Sequence, residues 1–128
     1  MRVIPNKYNK MSDFEINKLV YSMVFGESPR CHGEFIYHPT ICSEYNPCST
    51  PRDAWAIIPD SDIELTRHRI GGYKTGDYVA SGMYLRTDCK SMDGYNEVSV
   101  IDANPMRAIM VCYLIMKDKE EHRSHGST

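Results

Sequence analysis

The stretch NPMRAIMVCYLIMKDK, residues 104–119, decides how this chain folds. Asn104 is placed to cap a helix, and Pro105 suits the first helical position, where a missing N–H costs nothing. Lys117 and Lys119 stand where the negative end of the helix dipole favours cations. Between these ends, every residue from Ala108 to Met116 is apolar or aromatic. A helix without a polar face is buried on most sides. The pattern therefore predicts a buried C-terminal helix lying against a sheet, with other helices flanking it.

The sheet is sought upstream, between Asp62 and Asp102. IELTRHRI alternates apolar and polar residues at Ile63 and Leu65, YVASGMYL is β-rich, and NEVSVID alternates imperfectly through Tyr95, Val98 and Val100. Gly71-Gly72 and Asp93-Gly94 are dipeptides that join antiparallel strands. Three to four antiparallel strands are expected. Nearer the start, MSDFEINKLVYSMVFGE carries a helix signature: Ser12 as N-cap, Glu15 three residues on, and Met11 and Ile16 in staple positions. Ile16, Leu19, Val20, Met23 and Val24 form one apolar face, and Gly26 is placed to end the helix. In NPCSTPRDAWAIIP, residues 46–59, Thr50 is an expected cap, Pro51 opens a helix, and Asp53 sits in its first turn. Trp55, Ile57 and Ile58 give its apolar side, and Pro59 limits it to about two turns. Residues 27–48, rich in Pro, Gly, Cys and His, read as an irregular connection with one short strand at GEFIYHP.

The fold class is thus α+β: a small antiparallel sheet packed with two to three helices, the last one buried. Residues 1–10 read as a flexible lead, 11–118 as a single domain and 119–128 as a disordered tail. A chain of 128 residues, 41% hydrophobic and 25% charged, suits one modest core. The formal charge of −2, with basic residues scattered, disfavours a dedicated nucleic-acid grip, although a local patch can hide inside a neutral total. The longest apolar run is too short to span a membrane, and no secretory signal is visible. Cytoplasm is the expected compartment, with the five cysteines reduced.

Several residues invite a chemical reading. Cys31, His32, His38, Cys42 and Cys48 are zinc-ligand types, but no C-x2-C pair is present and Cys31-His32 are adjacent, so no metal is assigned. Cys48 precedes a helix start, yet Asp53 opposes a thiolate there and no histidine is marked as its base. Phosphate-cradling glycine motifs are absent. Arg107 is the instructive residue, because a cation in the first turn of a helix needs an anion to answer it. A salt bridge to Asp53 or Asp102 ranks first, and a bound phosphate or carboxylate second. Trp55 reads as a core anchor ahead of a stacking platform.

SDFEINKLV, YNPCSTPRDAWAII and NPMRAIMVCYLIMK together resemble, in order and spacing, the NinX-type proteins of lambdoid and related tailed phages, over residues 11–117. Asp53-Ala54-Trp55 with Ile57-Ile58, and Asn104-Pro105 with Arg107-Ala108, fall on that family's recurrent positions. The chain departs from it at Ala56 and at YVA, residues 78–80. The resemblance implies a small accessory protein of the infected bacterial cytoplasm and supplies no catalytic residues.

The expectation is a protein that is not an enzyme, needs no cofactor, and binds a host or phage protein. The alternative is a binder that sequesters a small anionic ligand such as a nucleotide signal, using Tyr45, Asp53, Trp55 and Arg107, with Tyr78 and Tyr84 as further lining. A homodimer is a third expectation, since so apolar a helix in so short a chain calls for cover.

Overall fold

Three antiparallel strands, β3 (Glu64–Ile70), β4 (Tyr73–Leu85) and β5 (Tyr95–Asp102), carry the C-terminal helix α4 (Pro105–Gly126) on one face. The structure, a computed structural model, describes residues 7–85 and 95–126. Ala80 pairs with Val100 and Gly82 with Val98, which turns these four side-chain positions to the same side of the sheet. Gly82 lets the helix close on the strand: a Cβ added there would strike Met116 Sδ and lie 3.4 Å from Cys112 Sγ. Residues Ala108 to Leu114 are all at most 7% exposed. The apolar run is therefore covered within one chain, and its burial requires no second copy.

Gly71 and Gly72, at φ of 58° and 85°, form the turn between β3 and β4, where two successive left-handed residues suit a tight hairpin. The second turn dipeptide, Asp93-Gly94, lies outside the described residues. Residues 27–48 are more ordered than their composition suggests, for β1 (Cys31–His32) and β2 (Phe35–Ile36) form a separate two-stranded ribbon.

Helix α1 (Asp13–Phe25) begins where its capping signature says. The Glu15 N–H donates to Ser12 Oγ at 3.1 Å, and Gly26, at φ 72°, donates back to the Ser22 carbonyl at 2.9 Å. Its buried face is rotated from the expected one. Ile16, Asn17, Val20 and Tyr21 are buried, whereas Leu19, Met23 and Val24 remain 40%, 41% and 39% exposed. Aromatic packing decides this: Tyr21 and Phe25 meet Tyr45 edge-on at 5.6 and 5.3 Å, and large rings bring more buried area than Leu or Met.

The expected two-turn helix after Thr50 is instead two short pieces, α2 (Pro51–Trp55) and α3 (Ile58–Ser61). Pro59 sits in the first turn of α3, a position that tolerates proline, rather than ending α2. The Thr50 side chain makes no capping bond. At the two ends, regular backbone structure extends past the expected bounds of residues 11 and 118. Lys7–Lys10 forms a 3-10 turn whose Tyr8 is 3% exposed and donates its hydroxyl to the Asp118 carboxylate. Helix α4 runs to Gly126, past residue 118, because no Gly or Pro interrupts 106–125.

Candidate functional site

The three helix openings are tied together by one chain of polar contacts. Asn104 Oδ1 accepts the N–H groups of Met106 and Arg107 at 3.0 and 3.3 Å, which caps α4 as its sequence predicts. Asp102 Oδ1 in turn accepts the Asn104 N–H at 2.8 Å. The guanidinium of Arg107 turns inward. It donates through Nε to Asp102 at 3.1 Å, through Nη1 to Asp13 at 2.6 Å, and through Nη2 to the carbonyls of Tyr8 and Met11 at 3.2 and 2.7 Å. Two carboxylates answer the cation, so its place at the positive helix end is explained from within the fold.

From Asn104 the contacts run on to α1 and α2. Asn104 Nδ2 donates to the Cys48 carbonyl at 2.7 Å, and the Cys48 N–H donates to Asn17 Oδ1 at 3.0 Å. Asn17 Nδ2 reaches Asn46 Oδ1 at 2.8 Å, and the Asn46 N–H donates to Asp53 Oδ2 at 2.8 Å. Arg52 Nε closes the line on Asp53 Oδ1 at 3.1 Å. Asn17 and Asp53 are 4% and 3% exposed, so these bonds satisfy groups that would otherwise be costly inside the protein. Cys48 lies fully buried among them. Burial, with a smaller push from Asp13 that Arg107 partly offsets, raises its thiol to about 12. It is a neutral packing group at neutral pH, not a thiolate.

The opposite side of the same region is apolar. A groove of about 440 Å³ opens between α2, α3, β3 and α4, lined by Pro51, Trp55, Ile58, Ile63, Leu65, Met106 and Ile109. Met106 and Arg107 are consecutive yet serve different sides of the helix start, one in the groove and one in the polar contacts. Trp55 flanks the groove and is 65% exposed; Leu65 beside it is 40% exposed.

The sequence profile of a phage family, described as Bacteriophage P22, NinX, matches residues 7–117. The chain belongs to the NinX family. Among solved structures, a phage protein from Bacillus cereus ATCC 14579 is similar over 90% of this chain and 95% of its own, at 18% identity and a TM-score of 0.54. At that identity the likeness is one of fold. No curated protein matches the chain.

In this NinX chain the expected site residues do not form a common hollow. Asp53 and Arg107 belong to the polar contacts. Tyr45, 3% exposed, belongs to the aromatic cluster with Tyr21 and Phe25, where burial and then the Asp53 carboxylate raise its hydroxyl. Trp55 stands apart from all three, at the surface, and is not the core anchor that its residue type suggested. The reason is helical geometry: Asp53, Ala54 and Ile57 take the inward arc of a short element, and Trp55 falls outside it. Tyr78 lies under Arg67, 5.5 Å from ring centre to guanidinium. Tyr84's side chain lies outside the described residues.

Leu65, Met106 and Ile109 were not singled out by sequence as a site; only their apolar type and nearness to proline-marked helix starts hinted at it. Cys31 and Cys42 are exposed, Cys112 is buried like Cys48, and Cys89 lies outside the described residues. Among the described residues no group of three His, Cys, Asp or Glu side chains is placed to hold a metal ion. His38 instead uses Nδ1 to accept the Thr40 N–H at 3.1 Å. Among the described residues no helix is long and apolar enough to cross a membrane.

Proposed function

We propose that this NinX-family protein works without catalysis of its own, by binding a host or phage protein in the cytoplasm of the infected bacterium. The groove flanked by Trp55 receives an apolar segment of that partner. One observation carries the reading: an indole 65% exposed beside a hollow lined almost wholly by carbon. An exposed large ring gains from burial, and aromatic anchors in apolar pockets dominate the energetics of protein interfaces. The polar side chains nearby are engaged in holding helices together. Four of the five N–H groups of Arg107 have partners inside the fold, which leaves the sequestering of a small anion without the cation it would have used.

The test is co-purification from phage-infected cells with the full chain and with Trp55→Ser and Met106→Ser variants whose thermal midpoints are checked. A defined partner held by the parent chain and lost in both folded variants is the expected result. Recovery of the same proteins by parent and variants would remove the groove from any binding role.

A further inference from the structure

The pairing of β5 with β4 ends at Tyr78, whose other partner is Arg67, so the chain from Arg67 to Asp77 leaves this last three-stranded row as a two-stranded ribbon. Its sequence, RHRIGGYKTGD, holds Arg67, Arg69 and Lys74 against one acid, Asp77. Arg69 and Lys74 are direct cross-strand partners, and Arg67 lies two residues before Arg69 on the same strand, across a shift in the pairing register. Like charges placed opposite each other work against the hairpin. No carboxylate among the described residues pairs with any of the three; Arg67 instead lies over the Tyr78 ring and Arg69 donates to the Gly72 carbonyl, which leaves the positive charge itself uncompensated. The tip is apolar and bare: Ile70 is 67% and Tyr73 82% exposed.

The ribbon is nonetheless held in shape. Arg69 Nη1 donates to the Gly72 carbonyl at 3.1 Å, and Thr75 Oγ1 donates to the His68 carbonyl at 3.2 Å while accepting the Asp77 N–H at 3.3 Å. The opposite end of the sheet has the reverse character, with Asp62, Glu64 and Glu97 around one hollow. A formal charge of −2 for the whole chain therefore conceals a confined cationic projection.

We propose that the β3–β4 hairpin is a contact surface for single-stranded nucleic acid. Arg67, Arg69 and Lys74 meet phosphates, and Tyr73, which faces away from the Arg69–Lys74 pair, stacks on an unpaired base where the strand crosses the tip of the hairpin. Charge complementarity identifies the polyanion, and the bare ring at the tip separates a nucleic acid from an acidic protein, because every base offers a face to stack on. A single strand is favoured over a duplex because only there is that face open. This surface is separate from the Trp55 groove and does not depend on it.

Filter binding of the full chain to a labelled oligothymidylate, its duplex counterpart and polyglutamate tests the assignment. Binding to the single strand should weaken with salt at a log–log slope of about −2, from three phosphate contacts at about −0.7 each. Arg69→Glu with Lys74→Glu should abolish it, and Tyr73→Ala should weaken it roughly tenfold. All these positions are exposed, and unchanged thermal midpoints will show that the variants fold. No binding at low salt, duplex or polyglutamate held as tightly as the single strand, or indifference to Tyr73→Ala would each overturn the proposal.

Discussion

Arg107 joins the start of α4 to the chain before and within the first turn of α1, through Asp102, Asp13 and the carbonyls of Tyr8 and Met11. Its side chain is 13% exposed, so much of this takes place away from water. Removing it leaves two carboxylates without their cation and takes one donor from each of two carbonyls, of which Tyr8's keeps the Met11 N–H. Arg107→Ala should lower stability by about 2 kcal/mol, discounted because Asp13 is 48% exposed and water can reach it. Arg107→Lys should recover only part of that loss, because one ammonium cannot reproduce a planar fork with several fixed donors. Urea unfolding of the three proteins checks the order; a lysine variant as stable as the parent would show that charge alone matters at this position.

At the scale of elements, the fit of α4 to β4 rests on the absence of a side chain at Gly82. Gly82→Ala drives a methyl group into Met116, which is 5% exposed and has little room to yield. The variant should lose about 1–3 kcal/mol by overpacking, and pairing it with Met116→Ala should restore part of that loss. Chemical denaturation of single and double variants measures the coupling. Elements of this kind were legible in the sequence where their signals are local. Ser12 with Glu15, Asn104 with Pro105, and Gly71-Gly72 each act through neighbouring backbone, and each performs its expected task. The buried face of α1 was not legible, because two overlapping apolar arcs compete and the winner is chosen by Tyr45, far along the chain. The roles of Asn17 and Asn46 were hidden for the same reason: their partners are 31 and 29 residues away. Of the candidate site, Trp55 was visible as a residue, but its exposure depends on which arc of a five-residue helix the core claims.

For the molecule as a whole, buried thiols set a limit on the alkaline side. Cys48 and Cys112 are held at about 12 by burial, against an ordinary value of 9.0. The unfolded chain therefore gives up these protons before the folded one does. The thiols' contribution to stability is full below about pH 8, declines as pH rises through 9, and continues to fall towards 12, with up to about 1.4 kcal/mol per pH unit for each thiol. Melting of the parent and of a Cys112→Ala variant across that range checks the sign, the variant losing stability less steeply above pH 9. The position of Trp55 has an optical corollary. It is the chain's single tryptophan and already faces water, so its emission should begin red-shifted and change little when the protein unfolds. The fluorophore would be almost blind to folding, yet any occupant closing over the groove should move its spectrum to the blue.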